Sequence, residues 1–428
     1  MRIFYLGLLF TSLRLSAQSP DTIFSASAVE AVEQSLASDA MRGRAVFTPD
    51  IERAADYIES QFRASGLKTW NGSDSYRQPF SLIRAKLLSI SGSVNDLKLT
   101  TDNTVIISAA EHIRMGARNV KTRWIHAGED LRSSAQKLIA EKENHLIFVD
   151  TSFAKTFTRL SRLAGQQFGS PYTNVFVLSN DEIVDFSFTL TADQEIKESP
   201  LANVVGILPG KGKYRNEYVI FSGHYDHLGV RKPDARGDSI YNGANDDASG
   251  TTAVILLSRY FSQLHNNQRT LVFAAFTAEE IGEFGSQYFS SQFDPDKVVA
   301  MFNIEMIGSP SKWGENSAFI TGFDRSTMST ILQGNLSGSQ FTFHPDPYPT
   351  QNLFYRSDNA SLARKGVPAH TISTTQIDID KTYHTPEDEI STLDLTNMAA
   401  IIKAIALSSK TIVEGKDTPS RVDTAQLR

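Results

Sequence analysis

The chain is 428 residues long, 40% hydrophobic and 21% charged, with 42 basic against 48 acidic residues, a net charge of −6 and no cysteine. That length fits two to three domains, and the composition is that of a globular protein rather than a disordered or membrane-embedded one. The mild acidity offers no field for nucleic acid or anionic lipid. The missing thiols exclude disulfide scaffolds, thiolate zinc sites, iron–sulfur clusters and cysteine nucleophiles, so any metal must be held by His, Asp and Glu.

Arg2, the apolar stretch 3–13 and the small residues Ser16 and Ala17 have the layout of a secretory signal peptide. The stretch is too short for a stable membrane anchor, and Arg14 argues against a buried first strand. A signal over 1–17 and a secreted or periplasmic protein are therefore expected. Residues 18–87 read as an N-terminal helical part of the main domain. Within them Ile51, Ala54, Ala55, Ile58 and Phe62 recur at helical spacing, and Gly66 is a stop signal. Over 88–195 the texture changes to short β-rich runs (97–99, 104–107, 146–149, 174–178, 186–190) between turns, as in a smaller inserted β-rich or α+β domain. From 196 to 413 strands at 218–221, 271–276, 298–304 and 367–372 alternate with helices at 251–264, 279–289 and 393–407. The fold class expected is α/β, a mostly parallel central sheet flanked by helices, with ligands at the strand ends. The polar tail 414–428 is expected to fray.

Five clusters in this alternating region carry chemistry. His224-Tyr225-Asp226 follows the first strand, where His224 projects into the crevice and Asp226 is placed to orient its imidazole. Asp246 and Asp247 lie in the small-residue loop 243–250 before a helix; a carboxylate there can bridge two cations, although adjacent acids at a helix start are commonly only a cap. Glu279 and Glu280 follow the second strand, which suits Glu280 as a metal ligand and Glu279 as a general base. Glu305 ends an apolar run in which an unpaired charge is costly to bury. His384 sits in a loop ahead of the closing helix. Together these give two His and three carboxylates plus one carboxylate to spare, the inventory of a two-metal hydrolase.

The set HYDHLG (224–229), GANDDASG (243–250), FTAEE (276–280), NIEMIG (303–308), FYRSDN (354–359) and YHTPED (383–388) resembles the M28 zinc peptidases, the co-catalytic aminopeptidase and glutamate-carboxypeptidase group. The resemblance covers roughly residues 200–410, extends to LASDAMRGR (36–44), and makes 88–195 a protease-associated-like insert by position. It implies two zinc ions, His224 and Glu305 on one, Glu280 and His384 on the other, and Asp246 between them. It also implies Glu279 as general base, Asp226 as the residue orienting His224, and Tyr355, Arg356 and Asp358 as substrate contacts. The family usually has Asp where Glu305 stands, and His where Asn359 stands. His112, His126, His145, His265, His344 and His370 match no motif, and His227 lies inside one without a ligand role; these seven read as structural or solvated.

The reading these residues give is an exported di-zinc exopeptidase, an aminopeptidase above all, with a peptide as substrate and no nucleic-acid partner or membrane anchor. Three alternatives stay open. A carboxypeptidase or dipeptidase of the same fold would need a basic clamp such as Arg356 or Arg364. A glutaminyl-cyclase-like acyltransferase would use a single zinc. A non-catalytic peptide-binding protein would have lost its metals.

Overall fold

The structure is a computed structural model, which describes residues 19–179 and 186–426. The predicted leader over 1–17 lies outside the described residues. The chain divides into two compact units, one formed by Met1–Gln78 with Ala202–Arg428 and the other by Pro79–Leu201. The second unit is wider at both ends than the 88–195 read from sequence texture, because the strands Arg77–Val94 and Phe188–Leu208 run through those boundaries.

In the first unit, helices α1 (Ala26–Leu36) and α2 (Pro49–Ala64) are separated by a 3-10 segment, Asp39–Arg44. Thr48 caps α2, its hydroxyl accepting from Asp50 N, and Pro49 supplies a pre-set φ at the first turn. The residues at helical spacing in α2 are all buried, as their period requires. The sheet comprises β1 (Tyr218–His224), β2 (Thr270–Phe276), β3 (Val298–Ile304), β4 (Ser317–Ile320), β5 (Thr342–Pro345) and β6 (Ala369–Ser373). Its order is β5-β4-β6-β3-β1-β2, with residues 204–208 antiparallel to β2 at the far side. The central strands β6, β3, β1 and β2 are parallel, and only the β4–β6 pair within the set is antiparallel. Helices α3 (Ser249–Leu264), α4 (Phe284–Ser291) and α5 (Leu395–Ser408) complete the α/β architecture.

Strands β2 and β3 are buried along their whole length and β1 from Val219 on, which explains their continuous apolar runs. Phe221 of β1 lies at the centre of this core, its ring 4.9 Å from Phe302, 5.3 Å from Phe261 and 5.6 Å from Phe273. Each such ring contributes about 1.5–3 kcal/mol by burial, so the core clamps the three strands that carry the site.

Three expectations change. The helix predicted over 279–289 begins only at Phe284, because residues 277–283 form a turn with Ala278 at φ +60° and Glu283 at φ +57°. Asn203 holds that turn shut, accepting from Thr277 N at 3.2 Å and donating to Gly285 O at 2.9 Å. Strands β4 and β5 were not expected: each has four residues, too few to display a period. The tail does not fray at Val413. Val422 is buried and bonds Gly366 O through its amide, Arg421 reaches Val298 O, and the buried Arg269 guanidinium donates to Asp417 O and Thr418 Oγ1.

The second unit is an α+β module. A four-stranded sheet runs in the order 104–107, 174–178, 145–149, 121–125, its last three strands parallel and the first antiparallel. Leu146 and Phe148 face one apolar cluster and Ile147 and Val149 the other, so the alternation of a single strand divides two cores. Helix Leu131–Ile139, capped by Asp130, packs with the second cluster.

Candidate metal centre at the strand ends

The predicted site residues come from the C-terminal ends of β1, β2 and β3 and from two loops, the crevice position of an open parallel sheet. Residues His224, Asp246, Glu279, Glu280, Glu305 and His384, distant in sequence, converge there. His224 Nε2 lies 3.1 Å from Asp246 Oδ1, 3.6 Å from Glu305 Oε1 and 3.9 Å from Glu279 Oε2. On the other side, His384 Nε2 lies 3.2 Å from Asp246 Oδ2 and 3.1 Å from Glu280 Oε2. Each oxygen of Asp246 thus faces a different imidazole.

The surrounding polar groups fix this arrangement. His224 Nδ1 sits 3.1 Å from the main-chain oxygen of Asp226, nearer than the Asp226 carboxylate at 3.7 Å. That carboxylate instead accepts the amides of Glu279 and Glu280, at 3.1 and 3.4 Å. Asp226 therefore holds the imidazole through its backbone and the two glutamates through its side chain. Asp247 accepts from His224 N, Gly250 N and Met306 N, and its peptide bond with Asp246 is cis. A Cβ on Gly250 would lie 2.1 Å from Ile304 O, so only glycine allows the loop this close to β3. Asp388 accepts from Asn245 N and Asp246 N at 2.7 and 3.0 Å. Arg44, fully buried, donates to the carbonyls of Leu36, Tyr225, Asn242 and Gly243. The longer side chain at Glu305 has its own support: Ser222, Asn303 and Ser357 form a hydrogen-bonded line whose last hydroxyl donates to Glu305 Oε2.

Charge at the site is strongly shifted. Burial opposes protonation of His384, but the hydrogen bonds to Asp246 and Glu280 prevail and raise its pKa to about 9. His224 is raised well above its ordinary value, with burial again overcome, here by Glu279, Asp226, Asp246 and Glu305. Burial works to raise Asp246, yet the facing imidazoles hold it well below the usual carboxylate range. Glu279 goes the other way: burial, with Glu305, Asp358 and Glu280 nearby, raises it well above 4.5.

At the strand ends, two donor groups have ligand atoms all within 4.8 Å of one another: His224, Asp246 and Glu305, and His227, Asp246 and Glu280. Among the described residues, His224 Nε2, both ring nitrogens of His227 and Glu280 Oε1 are buried without a hydrogen-bond partner. Buried lone pairs left so are costly unless something binds them. Imidazole and carboxylate donors suit zinc, so the residues fit that ion.

A cavity of about 230 Å³ adjoins Glu305, with Met306, Phe319, Leu353 and Ile377 on its apolar walls and Arg356, Asp380 and Lys381 on its polar side. Of the three predicted substrate contacts only Arg356 lines it. Tyr355 packs on Phe354, with the guanidinium groups of Arg325 and Arg364 over its ring, and Asp358 is fully buried. Asn359, where the family's histidine was expected, is a staple: it donates to Phe354 O and Ala369 O and accepts from Thr371 Oγ1. Sequence reasoning passed over His227, Asp247, Asp388 and Arg44. The first three lie within the motifs and Arg44 ends 36–44, but what marks them is burial and partners, which spacing does not reveal.

The sequence profile of peptidase family M28 matches residues 203–408, the segment that carries this geometry apart from Arg44. Residues 203–408 belong to peptidase family M28. The chain is 34% identical over 111 residues to a probable zinc metalloprotease of Pyrenophora teres f. teres, covering 26% of this chain and 23% of that protein. It is 26% identical over 211 residues to leucine aminopeptidase 1 of Ajellomyces capsulatus, covering 46% of this chain and 52% of the relative. The chain thus aligns with 23% and 52% of these two curated relatives' length. Two solved structures share this fold. The aminopeptidase from Aneurinibacillus sp. strain AM-1 superposes with a TM-score of 0.54 at 17% identity, over 92% of this chain and 96% of that one. The zinc aminopeptidase BSAP from Bacillus subtilis gives 0.55 at 15% identity, over 91% and 95%.

Proposed function

We propose that the protein is a di-zinc exopeptidase that removes N-terminal residues from peptides. The observation that carries this reading is Asp246, whose two oxygens face His224 on one side and His384 on the other. His224 and Glu305 would hold one zinc and Glu280 and His384 the second, with Asp246 shared. When bound, the zinc pair supplies Lewis acidity for the scissile carbonyl and for the attacking water. Glu279 is the general base: its carboxylate takes a proton from the water and returns it to the leaving amine. Met306, Phe319, Leu353 and Ile377 offer an apolar seat for the substrate's first side chain. The names of the relatives, a zinc metalloprotease and a leucine aminopeptidase, support the same reading. The signal-like sequence over 1–17 supports export, and no described helix is long and apolar enough to cross a membrane.

Arg356 and Lys381 on the cavity wall favour a second reading, in which a substrate carboxylate is bound and the enzyme is a carboxypeptidase or dipeptidase. Paired free and N-acetylated peptides decide between them, assayed with zinc and with a chelator. An aminopeptidase cleaves only the free-amine member of each pair. Equal cleavage of both, with loss on amidating the C-terminus, overturns the aminopeptidase reading.

A further inference from the structure

His227 is completely buried, three residues beyond His224, on the loop that leaves β1. Its Nδ1 lies 2.8 Å from Glu280 Oε1 and 3.9 Å from Asp246 Oδ2. Both atoms are buried, and neither Nδ1 nor Glu280 Oε1 has a hydrogen-bond partner that satisfies it. A buried ring nitrogen and two carboxylates within 4.8 Å of one another are explained by a cation that all three approach. Donors about 2.0–2.2 Å from a tetrahedral zinc stand roughly 3.3–3.6 Å apart. The four distances His227 Nδ1 and His384 Nε2 make to Glu280 and Asp246, from 2.8 to 3.9 Å, bracket that spacing. The local backbone makes room for the ring. Gly243 has φ +58°, and a Cβ there would lie 2.5 Å from the His227 ring carbons.

Building on the di-zinc reading above, we infer that His227 is a fourth protein ligand of the zinc held by Asp246, Glu280 and His384. The two ions are then unequal. One has four protein donors and the other three, His224, Asp246 and Glu305. Chelation removes the three-donor ion first, and the four-donor ion remains.

X-ray absorption on the zinc-loaded full-length protein tests this without any variant. Three imidazoles shared over two zinc ions is the result expected; two imidazoles over two ions overturns the role of His227. Zinc titration of the metal-free protein gives a second readout. His227→Ala should weaken one of two binding events by more than the 10–100-fold that loss of an outer-shell partner costs, leaving the other unchanged. Unchanged affinity for both ions in a folded variant also overturns it. A wild-type protein that binds fewer than two zinc ions contradicts the di-zinc reading itself, and this inference with it.

Discussion

Glu279 and Glu280 are neighbours for which opposite tasks are proposed, and they differ in what each faces. Glu280 points at His227 and His384, whereas Glu279 approaches His224 and sits among Glu305, Asp358 and Glu280. Glu279→Gln keeps the shape and removes the base, so zinc content should be unchanged and kcat should fall by about 10²–10⁴-fold. Metal analysis beside steady-state kinetics checks both halves; substantial residual turnover would assign the base elsewhere. Glu33 illustrates a titration outside the metal centre. It is fully buried with Thr252 donating to it, and burial pushes its pKa up to about 8, against the opposing field of Arg44. Between the unfolded value near 4.5 and about 8, the folded chain holds a proton that the unfolded chain has lost. Stability from this group is therefore fully present below pH 4.5 and falls by about 1.4 kcal/mol per pH unit through that window, levelling off above it. Denaturant curves for wild type and Glu33→Gln at pH 5.5 and 7.5 should diverge by roughly 2–3 kcal/mol in the variant's favour at the higher pH.

Among the elements, the loops after β1 and β3 and the loop before α3 act as one piece because buried acids tie their amides together. Asp247 joins the first two, Asp388 holds Asp246 from the loop that carries His384, and Asn245 accepts from Gly308 N. Asp388→Ala removes the hydrogen bonds to the backbone amides of Asn245 and of Asp246, the proposed shared ligand, without touching a proposed metal donor. Zinc affinity should drop about 10–100-fold, measured by competition with a chromophoric chelator. An unchanged affinity would mean that the loop holds Asp246 without Asp388. Much of this level was legible in the sequence. The strands 218–221, 271–276 and 298–304 announce themselves as apolar runs, and the acids and histidines at their ends follow from the sheet's geometry. Residues 279–283 read as helix because their apolar and polar order mimics a helical start, while the deciding contact, Asn203, lies more than seventy residues from Thr277. His227 was set aside for a similar reason: a histidine's surroundings, not its place in a motif, decide whether its ring faces a carboxylate pair.

At the scale of the whole molecule, the chain without cysteine places its chemistry on nitrogen and oxygen donors, gathered at one end of a parallel sheet from positions as far apart as 224 and 384. Such a site exists only when β1, β2 and β3 are in register, so metal binding and folding of this unit are coupled. The unit Pro79–Leu201 has its own two apolar clusters, and none of the site residues lies in it. The most direct test of di-zinc peptide hydrolysis is to add zinc stepwise to the metal-free full-length protein while following cleavage of a free-amine dipeptide. Cleavage should rise from none and reach its plateau at two zinc ions per chain. Full cleavage by the chelated protein before any zinc is added would contradict the account.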